Sequence, residues 1–262
     1  MKKISGTKEW AAHQRNICLG CRHGCRYCYA QMMAMRFHRL DGRSWTEEEV
    51  DRNKLVGKIT RSKGRIMYPT THDITPLHLQ ESLTYIERNL DAGNSLLIVS
   101  KPHLDCTRAI CDRFTSYRDK ITFRFTIGSA NSSVLKFWEP GAPNFAERLE
   151  SLKHAHGQGY ATSVSCEPML DLKIGEVIVQ VLPYVTDSIW LGKANRLRVN
   201  LSFNGHKDPE TLRRAAELLS WQSDANILAL YERYRENPMI KWKESIKKVV
   251  GIRLATEPGL DQ

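Results

Sequence analysis

The chain has 262 residues, of which 41% are hydrophobic, and a formal net charge of +10 at pH 7. This length supports one sizeable core, or one domain with an appendage. No apolar run approaches the roughly 20 residues of a membrane-spanning helix, and the N-terminal residues lack the apolar segment of a signal peptide. These features predict a cytoplasmic protein with no membrane partner.

The positive charge is concentrated near the N-terminus. Residues 1–65 contain 15 Lys and Arg against 6 Asp and Glu, a balance of +9, whereas the rest of the chain contains 24 basic and 23 acidic residues, a balance of +1. Positive charge attracts phosphates with little regard to base sequence, which favours DNA, RNA or a nucleotide as a partner. A solvated surface that balances an anionic metal cluster explains the same pattern, and both interpretations stay open.

Short apolar runs alternate with amphipathic stretches along most of the chain. A short first strand is predicted through Asn16 and Ile17 into Cys18. The further strands are predicted at residues 64–68, 95–99, 121–127, 161–166 and 188–191. The helices between them are predicted at residues 75–90 and 104–117, after a capping box at Asn144 up to residue 157, and at residues 173–182.

This order of elements predicts an α/β fold. Strands that alternate with helices form parallel sheets with right-handed crossovers, and six strands favour an open, incomplete barrel over a closed one. After about residue 200 the pattern changes, and helices are predicted at residues 209–221, 224–235 and 240–250 with no strands between them. We therefore divide the chain into a barrel domain, residues 1–200, and a helical C-terminal extension, residues 201–262.

Four of the seven cysteines, Cys18, Cys21, Cys25 and Cys28, lie within eleven residues. An odd number of bunched cysteines indicates metal binding in a reducing compartment. A zinc site is one interpretation, although the two Cys-x2-Cys pairs are only three residues apart, which spans at most about 10 Å. A closed iron–sulfur cluster with four cysteine ligands is the second. The third is a 4Fe-4S cluster on Cys21, Cys25 and Cys28 that leaves one iron without a protein ligand.

The motif Cys21-x3-Cys25-x2-Cys28, with Tyr27 before the last cysteine, resembles the signature of the radical S-adenosylmethionine (SAM) enzymes. The wider segment 20–30 is similar to the branch that includes spore photoproduct lyase. Segments 71–76, 100–101, 125–129 with 139–143 and 147–149, and 165–168 resemble the later strand units of that branch. Together these segments cover roughly residues 15–195.

The resemblance implies a partial (β/α)6 radical SAM barrel with two cofactors, a 4Fe-4S cluster and SAM. In this family the open iron binds SAM, and one electron cleaves SAM to methionine and a 5′-deoxyadenosyl radical that abstracts a hydrogen atom from the substrate. A one-electron reductant such as flavodoxin or ferredoxin is the implied partner. The resemblance therefore predicts a radical SAM enzyme of lyase or transferase type.

Polar residues follow the predicted strands, and the chemistry of parallel barrels gathers at the C-terminal ends of their strands. By resemblance, Lys101 is expected to face the SAM carboxylate, and Ser129 and Asn131 to hydrogen-bond its methionine or ribose. Thr71 and Asp73 are expected to hold its amino group. A helix cap is the simpler interpretation of Asp73, and ordinary surface is that of Lys101.

Further candidates lie in the cysteine motif and after the fifth strand. By resemblance, Tyr27 and Tyr29 match two tyrosines that flank the third cysteine in the lyase branch. Cys166 is a candidate hydrogen-atom donor, although buried, inert cysteine is commoner, and its neighbour Glu167 is a candidate cofactor ligand. The lyase donates hydrogen from a cysteine near its second-strand end, whereas residues 69–73 contain none. Repair of thymine dimers is therefore not expected.

Three functions remain open. The main hypothesis is a radical SAM enzyme that acts on a nucleic-acid base, a nucleotide or a related metabolite. The second is the same radical chemistry on a small molecule or a peptide, with the basic charge incidental. The third is a non-catalytic, metal-stapled nucleic-acid-binding protein.

Overall fold

The structure is a computed structural model and describes residues 4–259. Its main sheet contains seven parallel strands in the order β1 (His13–Gln14), β4 (Ile66–Tyr68), β5 (Leu96–Ser100), β6 (Ile121–Thr126), β7 (Ala161–Cys166), β8 (Ile189–Leu191) and β9 (Ile240–Trp242). Spatial order follows chain order, and the sheet runs from β1 at one edge to β9 at the other. This open, parallel arrangement confirms the predicted α/β partial barrel.

A smaller antiparallel pair, β2 (Cys18–Leu19) and β3 (Glu49–Val50), lies beside the main sheet. The α-helices are α1 (Tyr29–Arg36), α2 (Arg52–Val56), α3 (Leu79–Asp91), α4 (Leu104–Arg113), α5 (Ser132–Trp138), α6 (Phe145–Gly157), α7 (Ile174–Val181), α8 (Leu197–Phe203), α9 (Pro209–Trp221), α10 (Asp224–Tyr234) and α11 (Glu244–Val250). Short 3-10 helices cover Gly6–Glu9, Pro76–His78, Thr115–Lys120 and Leu182–Tyr184. No helix within residues 4–259 has the length and apolar character needed to cross a membrane.

The two faces of the main sheet pack differently. One face packs against the helices through residues such as Phe123 and Phe125. The other face forms a small second cluster that includes Trp10 and Trp190. Arg124, alternating with the two phenylalanines, places its guanidinium carbon 4.9 Å from the Trp10 ring centroid and 5.3 Å from that of Trp190. The strand alternation therefore places a buried cation inside the barrel.

The position predicted for the first strand is wrong by a few residues. The strand is His13–Gln14, and Asn16 and Ile17 follow it outside any strand. Asn16 leaves the sheet because its side-chain oxygen accepts hydrogen bonds from the backbone amides of Thr70 and Thr71, at 2.7 and 2.8 Å. These two hydrogen bonds connect the residues after β1 to the loop that follows β4.

The predicted helix over residues 240–250 is wrong in its first part. Ile240 and Trp242 are buried and Lys241 between them is half-buried, an alternation typical of a strand. The strand β9 pairs in parallel with β8, and α11 begins only at Glu244. The division of the chain at residue 200 stays a prediction, but the second part contributes one strand to the sheet of the first.

Candidate functional site

The four clustered cysteines lie at one end of the barrel, beside a cavity of about 920 Å³ that we call the main cavity. Cys21, Cys25 and Cys28 belong to the loop between β2 and α1, which we call the cysteine loop (residues 20–28). Cys18 also lines the main cavity, but it lies within β2, opposite Val50. The structure thus separates Cys18 from the other three by its backbone environment.

The cysteine loop is held closely against the segment before β3. Gly20 has a φ of +91°, and a Cβ atom there would overlap the backbone oxygen of Glu47. The next amide, of Cys21, donates to the backbone oxygen of Trp45 at 2.8 Å. Glycine is therefore required where the loop begins, both for its backbone conformation and for this close approach.

Two asparagines of the α8 segment hold the other end of the cysteine loop. The Asn200 side-chain amide donates to the backbone oxygen of Tyr27 at 3.0 Å. The Asn204 amide donates to the backbone oxygens of Arg26 and Cys28, at 2.9 and 3.0 Å. These hydrogen bonds hold three backbone carbonyls of the cysteine loop in place, and they thereby orient the thiols that the loop carries.

The three thiols of the loop are protonated in the absence of a cation. Burial raises the pKa of Cys21, Cys25 and Cys28, while the ammonium of Lys101 lowers all three. Cys21 and Cys25 are only 6% and 5% exposed, so a metal centre must supply the charge that ionised thiolates need. A set of soft sulfur donors suits iron–sulfur clusters or zinc, and the residues present therefore fit a cluster.

Asp73 and Lys101 form a buried pair next to the cysteine loop. Asp73 accepts from the Lys101 amide at 2.7 Å, from the Ser100 hydroxyl at 2.9 Å and from the Lys101 ammonium at 3.4 Å. Burial by itself raises the pKa of Asp73, but Lys101 and His23 outweigh it and hold the pKa well below its usual value. Burial likewise lowers the pKa of Lys101, and Asp73 more than reverses that effect. The pair therefore stays ionised inside the main cavity.

A chain of imidazoles, which the sequence did not identify, extends from this pair. His23 is fully buried, with Nδ1 2.8 Å from Asp73 and Nε2 3.0 Å from His103 Nε2. His103 in turn lies 3.6 Å from a carboxylate oxygen of Glu147. Donor atoms of Cys21, His23 and Asp73 also lie within 4.8 Å of one another, which makes them a second possible metal-ligand set that shares one cysteine with the loop.

Tyr27 lines the main cavity, but its hydroxyl group is fully engaged elsewhere. It donates to Glu139, which forms a salt bridge with Arg148, and both partners are fully buried. Burial and the Glu139 charge raise the pKa of Tyr27 well above its usual value. This arrangement makes Tyr27 an anchor of the cysteine loop, and it depends on Glu139 and Arg148, two residues the sequence analysis gave no role.

Tyr29 and Thr71 lie at the rim of the main cavity. Tyr29 is 46% exposed, and its hydroxyl donates to the backbone oxygen of Thr70 at 2.6 Å. The loop that carries Thr70 and Thr71 is also held by the side chain of Asn16, as described above. These contacts connect α1 to the loop after β4 across the opening of the cavity.

Glu167 follows β7 and lines the main cavity. Its carboxylate lies 3.5 Å from the Lys243 ammonium, which also contacts Glu9 at 2.6 Å. Burial raises the pKa of Glu167 and Lys243 lowers it, with burial prevailing. Glu167 is thus a cavity carboxylate with one buried cationic neighbour.

Three predicted site residues do not line the main cavity among the described residues. Ser129 donates to Asp171, and Asn131 caps α5 by accepting from the Ser133 and Val134 amides at 2.9 and 3.3 Å. Cys166 is fully buried on the helix-facing side of β7. Alternation along the strand turns Cys166 away from the cavity, so the prediction that it donates a hydrogen atom loses its geometric basis.

An open parallel barrel with a cysteine loop between its first two main-sheet strands is the fold of radical SAM enzymes. Among solved structures, the chain is similar to spore photoproduct lyase complexed with dinucleoside spore photoproduct, with a TM-score of 0.53, 19% identity, and coverage of 79% of this chain and 64% of that chain. A mutant of that enzyme with bound AdoMet and dinucleoside spore photoproduct gives a TM-score of 0.52 at 19% identity and the same coverage. The resemblance inferred from sequence is confirmed at the level of the fold.

The curated proteins similar to this chain have no described activity. An uncharacterized protein of Methanocaldococcus jannaschii is 27% identical over 172 residues, which cover 64% of this chain and 65% of that protein. An uncharacterized protein of Acidianus two-tailed virus is 26% identical over 180 residues, which cover 64% of this chain and 55% of that protein. The match therefore spans less than two thirds of either relative. No family model matches the chain.

Proposed function

We propose that this protein is a radical SAM enzyme that holds a 4Fe-4S cluster on Cys21, Cys25 and Cys28. The observation that carries the proposal is the meeting of two buried thiols, a half-buried third thiol and a largely buried ammonium in one cavity of about 920 Å³. The spore photoproduct lyase fold supports it, because one of the similar lyase structures has AdoMet bound. When bound and reduced by an external one-electron donor, the cluster would supply the electron for cleavage of SAM into methionine and a 5′-deoxyadenosyl radical.

The residues of the chain would then bind and orient SAM. The Lys101 ammonium uses one contact for Asp73 and keeps donors for a carboxylate in the main cavity. Asp73 and Glu167 are cavity carboxylates that suit an amino group or ribose hydroxyls. Ser129 and Asn131 stay candidates for SAM binding only if their present partners are exchanged when SAM binds.

A nucleic-acid base is the substrate class that the surroundings of the cavity favour. Phe37, at the end of α1, is 51% exposed, with the guanidinium carbons of Arg36 and Arg39 5.6 and 5.3 Å from its ring centroid. Arg39 also lines the main cavity. An exposed aromatic ring between two arginines offers a stacking surface next to phosphate-binding groups. The basic charge of residues 1–65 supports the same substrate class.

Anaerobic reconstitution with iron and sulfide tests the proposed function. We expect about four irons per chain and release of 5′-deoxyadenosine from SAM after addition of dithionite. The C25A variant should lose both, whereas C106A, which changes a buried cysteine outside the loop, should keep both. A reconstituted protein with a full complement of iron that never cleaves SAM would contradict the proposal.

A metal-stapled nucleic-acid-binding protein is the second candidate function. The donor set of Cys21, His23 and Asp73 favours it, because nitrogen, sulfur and oxygen donors within 4.8 Å of one another also suit zinc. Binding of one zinc ion in preference to iron, with no cleavage of SAM, would support this candidate.

A further inference from the structure

We propose that a second cavity, beside β1, binds a backbone phosphodiester of a single-stranded nucleic acid whose target base enters the main cavity. This inference rests on the proposed function, since it names where the substrate strand is held. The second cavity has a volume of about 440 Å³ and lies between the end of β1, the segment after α2, and α3. We call it the basic cavity.

The charged side chains that line the basic cavity are all positive. The lining includes three cationic side chains, Arg15, Lys54 and Lys58, and no carboxylate among the described residues. In the main cavity, by contrast, Lys101 lies 3.4 Å from the carboxylate of Asp73. Cations in a concave site whose lining includes no carboxylate create a positive potential that attracts an anion.

Two of these cations have no carboxylate within ion-pair distance in the described part of the chain. Lys54 pairs with Asp51 at 3.0 Å, but no carboxylate within residues 4–259 pairs with Arg15 or Lys58. Among the same residues, the only hydrogen bond from the Arg15 guanidinium goes to the backbone oxygen of Gln14, at 3.1 Å. Because an arginine fork and a lysine ammonium together match a phosphate in charge and in donors, these two side chains define the ligand class.

The basic cavity adjoins the main cavity. Gln14 and Asn16 line both. Asn16 also holds the amides of Thr70 and Thr71, which lie at the rim of the main cavity. A strand that places a base in the main cavity would therefore carry its backbone past Asn16 and into the basic cavity.

A buried acceptor in the wall of the basic cavity has a free position for a donor. Asn89 is 1% exposed, and its amide nitrogen donates to the Tyr85 backbone oxygen at 2.8 Å. Its side-chain oxygen has no hydrogen-bond partner in the described structure. Since a buried acceptor without a donor is costly, a hydroxyl group of the ligand or a bound water molecule would satisfy it.

The cationic surface extends beyond the cavity, which favours a strand over a free phosphate. Arg52, Arg61 and Lys63 are exposed in the same part of the chain. One phosphate would neutralise the cavity cations, whereas several phosphates in a row would also reach Arg61 and Lys63; Arg52 already lies 3.8 Å from Glu81. The experiment distinguishes the two sources of phosphate.

The test compares two double variants that lose the same charge. R15Q/K58Q changes the basic cavity, whereas K153Q/K173Q changes the half-buried Lys153 on α6 and the exposed Lys173 before α7, toward the other edge of the sheet. Fluorescence anisotropy of the reconstituted protein measures binding of a labelled single-stranded DNA of about 12 nucleotides over a series of salt concentrations. Inorganic phosphate and thymidine 5′-monophosphate serve as competitors. Cleavage of SAM without nucleic acid is measured separately.

We expect R15Q/K58Q to lose roughly 10-fold in affinity at low salt and to lower the salt slope by about 1, with K153Q/K173Q close to the wild type. Equal losses in the two double variants, or no loss in either, would overturn the inference. The inference would also be overturned if inorganic phosphate bound tightly at Arg15 and Lys58 while R15Q/K58Q left the affinity for DNA unchanged. Both double variants should cleave SAM like the wild type, so a failure of cleavage in the wild type counts against the proposed function and not against this cavity.

Discussion

Gly20 shows how one residue determines whether the cysteine loop can form. Because its φ is +91° and a Cβ would overlap the Glu47 oxygen, we expect G20A to cost about 1–2 kcal/mol from backbone conformation alone. Displacement of the neighbouring backbone adds to this cost. The measurement is the free energy of unfolding, together with the iron retained after reconstitution.

Gly42 provides the matched control for Gly20. Its φ is +81°, but a Cβ there would meet no atom of the described residues within 4 Å. G42A should therefore show only the conformational cost and retain its iron. Similar iron loss in G20A and G42A would mean that the close approach at Gly20 does not position the cysteine loop.

Asp187 carries a pH dependence that can be separated from the metal site. Burial by itself raises its pKa, but hydrogen bonds from Ser188, at 2.7 Å, and from Arg124, at 2.9 Å, hold the pKa below its usual value. A carboxyl group whose pKa is lowered by folding stabilises the fold above its unfolded pKa, near about 3.9, and loses this effect as the pH falls further.

We therefore expect D187N to unfold more easily than the wild type by about 1–2 kcal/mol at neutral pH. The side chain is 33% exposed, so solvent screening favours the lower value. Urea unfolding over a pH series should show a constant difference at neutral pH that shrinks below about pH 4. A difference that grows on acidification would contradict the assignment.

Some site residues could be predicted from the sequence, and others could not. Lys101, Asp73 and Glu167 were identified because each follows a strand, and strand ends meet at one end of a parallel barrel. Cys166 is the last residue of β7, one position before Glu167, and alternation turns it toward the helices. The bond between His23 and His103 joins residues 80 apart in the chain, and no local pattern indicates such a contact.

At the scale of elements, α8 connects the C-terminal part of the barrel to the cysteine loop. Asn204 at its end donates to two loop carbonyls, of Arg26 and Cys28. We expect N204A to cost about 1–3 kcal/mol, since two partly buried carbonyls each lose one donor, and to speed the loss of iron to a chelator. The rate of chelation, followed by absorbance, measures this effect.

Asn226 allows a control with the same change. Its side chain bonds only the backbone oxygen of Trp221, in an exposed position near the start of α10. N226A should keep the iron-release rate of the wild type. Equal rates in wild type and N204A would show that the α8 contacts do not retain the cluster.

The strands divide into those with a local signal and those without one. Apolar residues make up most of β5 and half of β6 and β7, polar residues follow each strand, and the predicted bounds agree with the structure to within one residue. In contrast, β1 is two polar residues long, and its pairing with β4 depends on the contacts of Asn16. The lysines around β9 have the spacing of a helix face, and only the pairing with β8 defines that segment as a strand.

At the scale of the whole molecule, Lys243 joins the two ends of the chain inside the barrel. Its fully buried ammonium lies 2.6 Å from Glu9 and 2.7 Å from the backbone oxygen of Gly6, with the Trp10 ring centroid at 4.1 Å. Removing one partner of a buried ion pair leaves a charge without compensation. We expect K243M to lose about 3–5 kcal/mol of stability, measured by thermal or urea unfolding.

Lys241, two residues earlier on β9 and half-buried, is the control for Lys243. K241Q should change the stability by less than about 1 kcal/mol. If K243M were as stable as K241Q, residues 201–262 would be an appendage, as the sequence analysis predicted, and not part of the barrel. The charge balance of the sequence indicated a polyanionic partner, but only the folded chain places Arg15 and Lys58 in one cavity.

The central claim is that the chain supplies three sulfur ligands to the cluster and leaves one iron open. The most direct measurement is electron paramagnetic resonance of the reduced, reconstituted C18A variant with and without SAM, together with its iron content. We expect about four irons per chain and a spectrum that shifts when SAM is added, as in the wild type. A C18A variant that loses its cluster, or a wild-type spectrum that SAM leaves unchanged, would identify Cys18 as a fourth ligand and contradict the account.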